Sequence, residues 1–323
     1  MKKIFLGFFL VNMICLFVIP TPSVQAGKCI VATDFEGYKF IGLVGKQVIL
    51  REKTLKKARL NDYKAPVQVD LFDNYETPEN VTMSGNSAIA YVSTVVNNPD
   101  DDGADSNGIV SCNVYRYEKG KRSPAQPIWK TNSKINGLAT NMNGGRLLAV
   151  TESKKLVYRS KDGNFIPIRT CAGIPTSIAM SSDGNFVFVV TGKNQLNKYT
   201  YDSAKDTYEY DNKGLWEQPE DGAEGGDNED GEADAILGVS TNMDASKVWL
   251  ITCKSHGWSY SLMEGSKEGN FKKLYEFDDT SYPCDVAISG NSKMAYIPLS
   301  FSYIYRFSYD PKAKCYVVYK LHY

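Results

Sequence analysis

The chain has 323 residues, 37 Lys+Arg against 37 Asp+Glu, and 42% hydrophobic residues. This composition excludes a multi-span membrane protein, and the longest basic clusters, Lys53 to Arg59 and Lys119 to Arg122, are too short for the basic stripe of a nucleic-acid binder. With 21 Tyr, 14 Phe and 4 Trp, the aromatic content favours half-buried pleated strands over helices.

The first element is a leader. Lys2 and Lys3 precede the apolar run Ile4 to Ile19, and Val24-Gln25-Ala26 is a small-x-small cleavage pattern, so residues 1–26 read as a secretory signal peptide cut between Ala26 and Gly27. The alternative is an uncleaved anchor helix, for which the run is short. Residues 27–323 then form one exported domain, periplasmic or extracellular, with no further membrane span. Export permits disulfides, and the mature chain keeps six cysteines: Cys29, Cys112, Cys171, Cys253, Cys284 and Cys315. None is spaced C-x-x-C, which removes zinc-ribbon and thioredoxin readings.

In chain order, one hairpin grammar recurs: an apolar strand, a turn of Asp, Asn, Gly or Ser, then a second strand. It is clearest at Ile174 to Val190 around Asp183-Gly184. It returns at Val81 to Val92, Leu138 to Val150, Ile236 to Ile251 and Val286 to Ile297, and faintly at Ile30 to Leu43. Turns of this kind need positive φ, which those residues tolerate. A Tyr-rich third strand follows most hairpins, as in Val114-Tyr115-Arg116-Tyr117 and Tyr303-Ile304-Tyr305, and an apolar fourth segment closes most units, as in Phe165-Ile166-Pro167-Ile168. Four strands in units of 40 to 61 residues predict an all-β chain, a β-propeller of four-stranded antiparallel blades. Six blades fit the hairpin count. Seven compact blades are the alternative, with Gln47 to Val69 or Asn197 to Trp216 hiding a unit. Radial stacking buries both faces of each blade, and the recurring tyrosines then pack between blades.

The segment Ile174 to Val190, with its relative Pro283-Cys284-Asp285-Val286-Ala287-Ile288-Ser289, resembles the repeats of the YVTN-type and WD-type propeller families, in which a proline opens the inner strand and a Ser-x-Asp-Gly turn follows. The closing Trp-Asp dipeptide is absent. The resemblance implies a fold, and with it the possibility of lactonase-like chemistry, without assigning ligands. Ring closure suggests a disulfide from Cys29 to Cys315, leaving Cys112 with Cys171 and Cys253 with Cys284.

Two acidic insertions, 97–108 and 217–234, follow a second and a fourth strand and so leave one face of the ring. In the first, Asn98, Asp100 and Asp102 alternate before Gly103, with Asp105 beyond; this resembles the opening of a calcium loop, making calcium the candidate cofactor, although Ile109 stands where a bidentate Glu would complete the shell. The chain has 2 histidines, His256 in a loop and His322 near a free terminus, too few for a Ser-His-Asp triad or a multi-histidine metal site. Asn80-Val81-Thr82 is a glycosylation acceptor pattern in a eukaryotic host. No catalytic residues are assigned. The expected function is a monomeric, non-catalytic binding module that presents loops on one face to a protein or glycan; the alternative is a metal-assisted lactonase-like hydrolase.

Overall fold

The computed structural model describes residues 31–322 apart from 34–35, 37–38, 45–46, 53–66, 73–74, 98–108, 119–120, 161, 193, 218–234, 255–258, 279–280 and 300–302. The expected leader with its cleavage site at Ala26 and Gly27, Cys29, His256 and both acidic insertions beyond their first residues therefore lie outside the described residues. All described regular structure is β, and no described helix is long and apolar enough to cross a membrane.

The strands fall into consecutive antiparallel sheets, each built from adjacent stretches of chain. The first holds β1 (Val31–Thr33), β2 (Lys39–Val44), β3 (Gln47–Glu52) and β4 (Val67–Leu71). The second holds β5 (Glu76–Met83), β6 (Ile89–Asn97), β7 (Ile109–Glu118), β8 (Lys121–Arg122) and β9 (Trp129–Thr131). The third holds β10 (Ile135–Thr140), β11 (Leu147–Thr151), β12 (Lys155–Arg159) and β13 (Phe165–Thr170). Next come β14 (Pro175–Met180), β15 (Phe186–Thr191), β16 (Gln195–Asp202) and β17 (Thr207–Glu217), then β18 (Ala235–Thr241), β19 (Val248–Cys253), β20 (Tyr260–Ser266) and β21 (Gly269–Glu276). The last sheet holds β22 (Ala287–Ile288), β23 (Met294–Leu299), β24 (Tyr303–Asp310) and β25 (Cys315–His322).

The expectation of uniform four-stranded blades holds for five sheets. The second departs from it: β7 pairs with β8 at Tyr117 and Glu118 and separately with β9 at Cys112 to Val114, so its outer edge is split into two short strands. The stretches proposed to hide a seventh unit do not, since Gln47–Glu52 and Val67–Leu71 complete the first sheet and 197–216 lies in β16 and β17. His322, expected at a free terminus, ends β25 opposite Tyr303.

The first strands line an axis. β5 touches β10, β10 touches β14, β14 touches β18, β18 touches β22, and β1 sits between β22 and β5. The circle closes. The chain is a β-propeller. Val31 joins Ala287, Met294, Tyr296 and Ile304 in the cluster that seals the first sheet against the last. Elsewhere the inter-sheet layers hold the third-strand tyrosines, as expected: Tyr115 and Tyr117 pack on Ile41, Leu43 and Phe72, and Tyr158 meets Tyr208 edge-on at 5.8 Å.

The recurring turn has a physical explanation. In three units a buried serine (Ser84, Ser181, Ser289) donates to the Asn or Asp two residues on (Asn86 2.7 Å, Asp183 2.5 Å, Asn291 2.9 Å). The same hydroxyl accepts the N–H that opens the second strand, from Ile89, Phe186 or Met294 at 2.9 to 3.0 Å. Asn141 and Asn242 replace that serine in two further units, where the backbone N–H groups of Arg146 and Lys247 donate to the Asn side chains at 3.0 Å. The fourth residue of every one of these turns has positive φ: Ser87 at 54°, Gly144 at 70°, Gly184 at 74°, Ala245 at 57° and Ser292 at 59°.

These turns also stitch neighbouring sheets together on one face, here called the hairpin face. Asn86 N–H donates to the Met142 carbonyl at 2.9 Å, Met142 to Ser182 at 2.6 Å, Asp183 to Met243 at 3.0 Å and Met243 to Gly290 at 2.9 Å. Asn291 Nδ2 reaches Glu36 Oε2 at 2.8 Å, which carries the belt across the junction between last and first sheets.

Candidate functional site

The opposite face, the loop face, is where first strands begin and where second and third strands are joined. Asn97 closes β6, pairing with Ile109 of β7, and Ala235 opens β18, so both acidic insertions are attached on this face. Asn98, Asp100, Asp102 and Asp105 lie outside the described residues.

At the centre of the ring is a channel of about 120 Å³ lined by the first strands. Its polar side chains come from a feature the sequence reading did not anticipate. Four inner strands carry a register irregularity near their start, between Pro78 and Asn80, Ile135 and Gly137, Pro175 and Ser177, and Ile236 and Gly238. A bulge there turns side chains that a regular strand would bury between sheets. Those side chains bind the next sheet. Asn80 Nδ2 donates to the Ile135 carbonyl at 2.7 Å, Asn136 Nδ2 to the Pro175 carbonyl at 2.9 Å, and the Ser177 and Ser240 hydroxyls accept from Val239 N–H at 3.3 Å and Ile288 N–H at 3.0 Å. Thr140 and Thr241 donate to carbonyls of their own hairpins. The one carboxylate lining the described channel is Asp285, close to Gly238, where an added Cβ would sit 2.9 Å from Oδ1. Among the described residues no group of three or more His, Cys, Asp or Glu could hold a metal ion.

Between the first and second sheets lies a second polar cluster. Glu76 accepts from Thr94, from Asn113 Nδ2 at 3.1 Å and from the Tyr115 hydroxyl at 3.2 Å. Beside it Asp70 accepts from Arg122 and from the Tyr117 hydroxyl at 2.6 Å, with the Arg122 guanidinium over Phe72 and Tyr115 at 4.6 and 4.3 Å. Burial, then the Glu76 charge, pushes the Tyr115 hydroxyl up to about 12; burial and the bond to Asp70 push Tyr117 up further. Phenols held neutral this firmly are poor bases at ordinary pH, and the cluster reads as a structural tie.

The cysteines are also corrected. Among the described residues no disulfide is formed. Cys112 packs with Val114 and Ile135, whereas Cys171 packs with Tyr158 and Tyr199 across the next layer; both are buried thiols pushed up by desolvation, so the expected pair does not exist. Cys253 and Cys284 both lie near Tyr260 and form no disulfide. Cys315 is exposed at the start of the outermost strand, opposite Asp310. Val31, two residues after Cys29, begins the innermost strand of the first sheet. Cys29, the expected partner of Cys315, lies outside the described residues. Asn80, read as a glycosylation acceptor, is 4% exposed with its amide bonded to Ser93 and Ile135, which leaves no room for a glycan in the folded chain.

Three of the seven exposed large apolar side chains among the described residues lie on the loop face. Leu71 at 57% and Tyr75 at 51% flank the link from β4 to β5, and Ile174 at 45% precedes β14. Single exposed residues are ordinary, but these three occupy links of one class on one face.

No protein-family model and no curated protein matches the sequence. Solved structures do match in shape. A chain of the mitotic checkpoint complex is 10% identical with a TM-score of 0.50, covering 91% of this chain and 79% of that one. A Bacteroides uniformis protein described as a 6-phosphogluconolactonase candidate is 8% identical with a TM-score of 0.52, covering 91% of this chain and 84% of that one. At these identities the likeness establishes the propeller fold.

Proposed function

We propose that this chain is an exported, non-catalytic interaction module that receives a protein partner on its loop face. The observation that carries this reading is the use of the channel's polar groups: Asn80, Asn136, Ser177 and Ser240 are committed to holding adjacent sheets together. A catalytic mouth instead keeps donors and acceptors aimed at a reacting centre. Leu71, Tyr75 and Ile174 supply apolar anchors on that face, to which both acidic insertions are also attached, and apolar anchors are the general core of a protein interface. A propeller in the mitotic checkpoint complex is in keeping with the reading.

The hydrolase reading retains one supporting observation, the Asp285 carboxylate at the loop-face end of the channel. It would need a cation there, and a calcium site in 97–108 would be a separate one.

The test is face-specific. The mature chain from Gly27 is cross-linked in the envelope or culture medium of its source, comparing the wild type with the double variant Tyr75→Lys/Ile174→Lys and with Met243→Lys on the hairpin face. Loss of the cross-linked species in the double variant alone supports the proposal. Equal loss in Met243→Lys, or no loss in the double variant, contradicts it.

A further inference from the structure

A second concavity, of about 560 Å³, lies on the flank of the ring between the second and third sheets. One wall is aromatic: Trp129 of β9 and Phe165 of β13 stack across the sheet boundary with centroids 4.4 Å apart and planes within 6°. The two sides of the groove are tied together by Ser133, whose hydroxyl donates to the Ser153 hydroxyl at 2.9 Å and accepts from the Ser153 N–H at 3.1 Å. Lys130 stands on the second-sheet side and Lys155 on the third-sheet side, both exposed, and among the described residues neither makes an ion pair. Their neighbour Lys134 is already answered by Glu79 at 3.6 Å.

We propose that this groove binds an anionic oligosaccharide, a short chain of uronic acid units. A flat aromatic wall accepts the C–H face of a pyranose ring, the Thr131 hydroxyl and the Asn132 amide suit its alcohols, and two uncompensated ammonium groups suit carboxylates carried on successive sugars. An acidic peptide fits less well. Extended peptides gain affinity by adding to an open sheet edge, but β9 has three residues and the groove side of β13 carries Pro167, which blunts its ladder. This inference does not rest on the loop-face reading, since the groove is formed by different residues.

The test follows the tryptophan indole N–H signals by NMR while tetragalacturonate is added to the intact mature chain. The expected result is a saturable shift of the Trp129 signal while Trp216 and Trp249 stay put, with affinity falling at least tenfold in Lys130→Ser/Lys155→Ser and falling with added salt. Both lysines are exposed, so an unchanged melting midpoint shows the variant is folded. The proposal is overturned by the absence of a Trp129 shift, by equal binding of a neutral tetrasaccharide, by tighter binding of tetraglutamate, or by uronate binding indifferent to the two lysines.

Discussion

The Asn80 side chain crosses from one inner strand to the next, its Nδ2 donating to the Ile135 carbonyl at 2.7 Å while also bonding the Ser93 hydroxyl at 3.0 Å. Asn80→Ala would leave that buried carbonyl without a donor, at a cost of about 1–3 kcal/mol. Urea unfolding is expected to show a lower midpoint. An unchanged midpoint would mean the channel's polar lining is free for other work.

Gly184 has φ of +74° in the turn of the fourth sheet, and a Cβ added there would lie 2.8 Å from Arg146 Nη1 and 3.2 Å from Asn141 Cβ. Gly184→Ala therefore combines left-handed strain of roughly 1–2 kcal/mol with a contact that Arg146 must vacate, losing its bond to the Gly184 carbonyl. A thermal melt should show Gly184→Ala below wild type and Gly192→Ala closer to it, because no atom lies within 4 Å of a Cβ at Gly192.

Tyr115 titrates near 12 in the folded chain against an ordinary value of 10.0, because burial and Glu76 oppose its ionisation. A raised folded value means the folded state holds the proton longer than the unfolded state, so the stabilisation is complete below pH 10 and is lost as pH rises from about 10 to about 12. Denaturation followed from pH 8 to 12 should show this fall, and Tyr115→Phe should make it shallower by one tyrosine's share, with Tyr117, Tyr199 and Tyr208, also raised by burial, supplying the rest. An identical alkaline slope in Tyr115→Phe would exclude this tyrosine as a source.

Thiol chemistry separates the cysteines by burial. Cys315 is exposed, whereas Cys112 and Cys171 are buried with their thiols pushed up by desolvation. An aromatic disulfide reagent should modify Cys315 in the native chain and reach Cys112 and Cys171 only after unfolding. A Cys315 that stays silent until a reductant is added would revive a disulfide there.

The repeat was legible because the turn chemistry is local. Ser181, Asp183 and Gly184 each have a short-range task, and the same tasks recur at 84–87 and 289–292, so hairpins and fold class could be read from residue types. The split edge of the second sheet was not legible, because β8 and β9 compete for different parts of β7, a choice made by packing. The candidate site was hidden for a related reason. Asn80, Asn136, Ser177 and Ser240 are unremarkable polar residues in strand-like segments, and only the bulges at the start of the inner strands aim them along the axis. The pairing of Cys112 with Cys171 failed because chain order says which strand a residue belongs to, and disulfide geometry also requires the two residues to share one inter-sheet layer.

The central proposal, that the channel's polar side chains hold the ring together and take no part in chemistry, is tested most directly by following sugar-lactone hydrolysis by the purified chain with magnesium or calcium present, beside Asp285→Asn. The account expects both proteins to match the spontaneous rate. Turnover by the wild type that disappears in Asp285→Asn would contradict it.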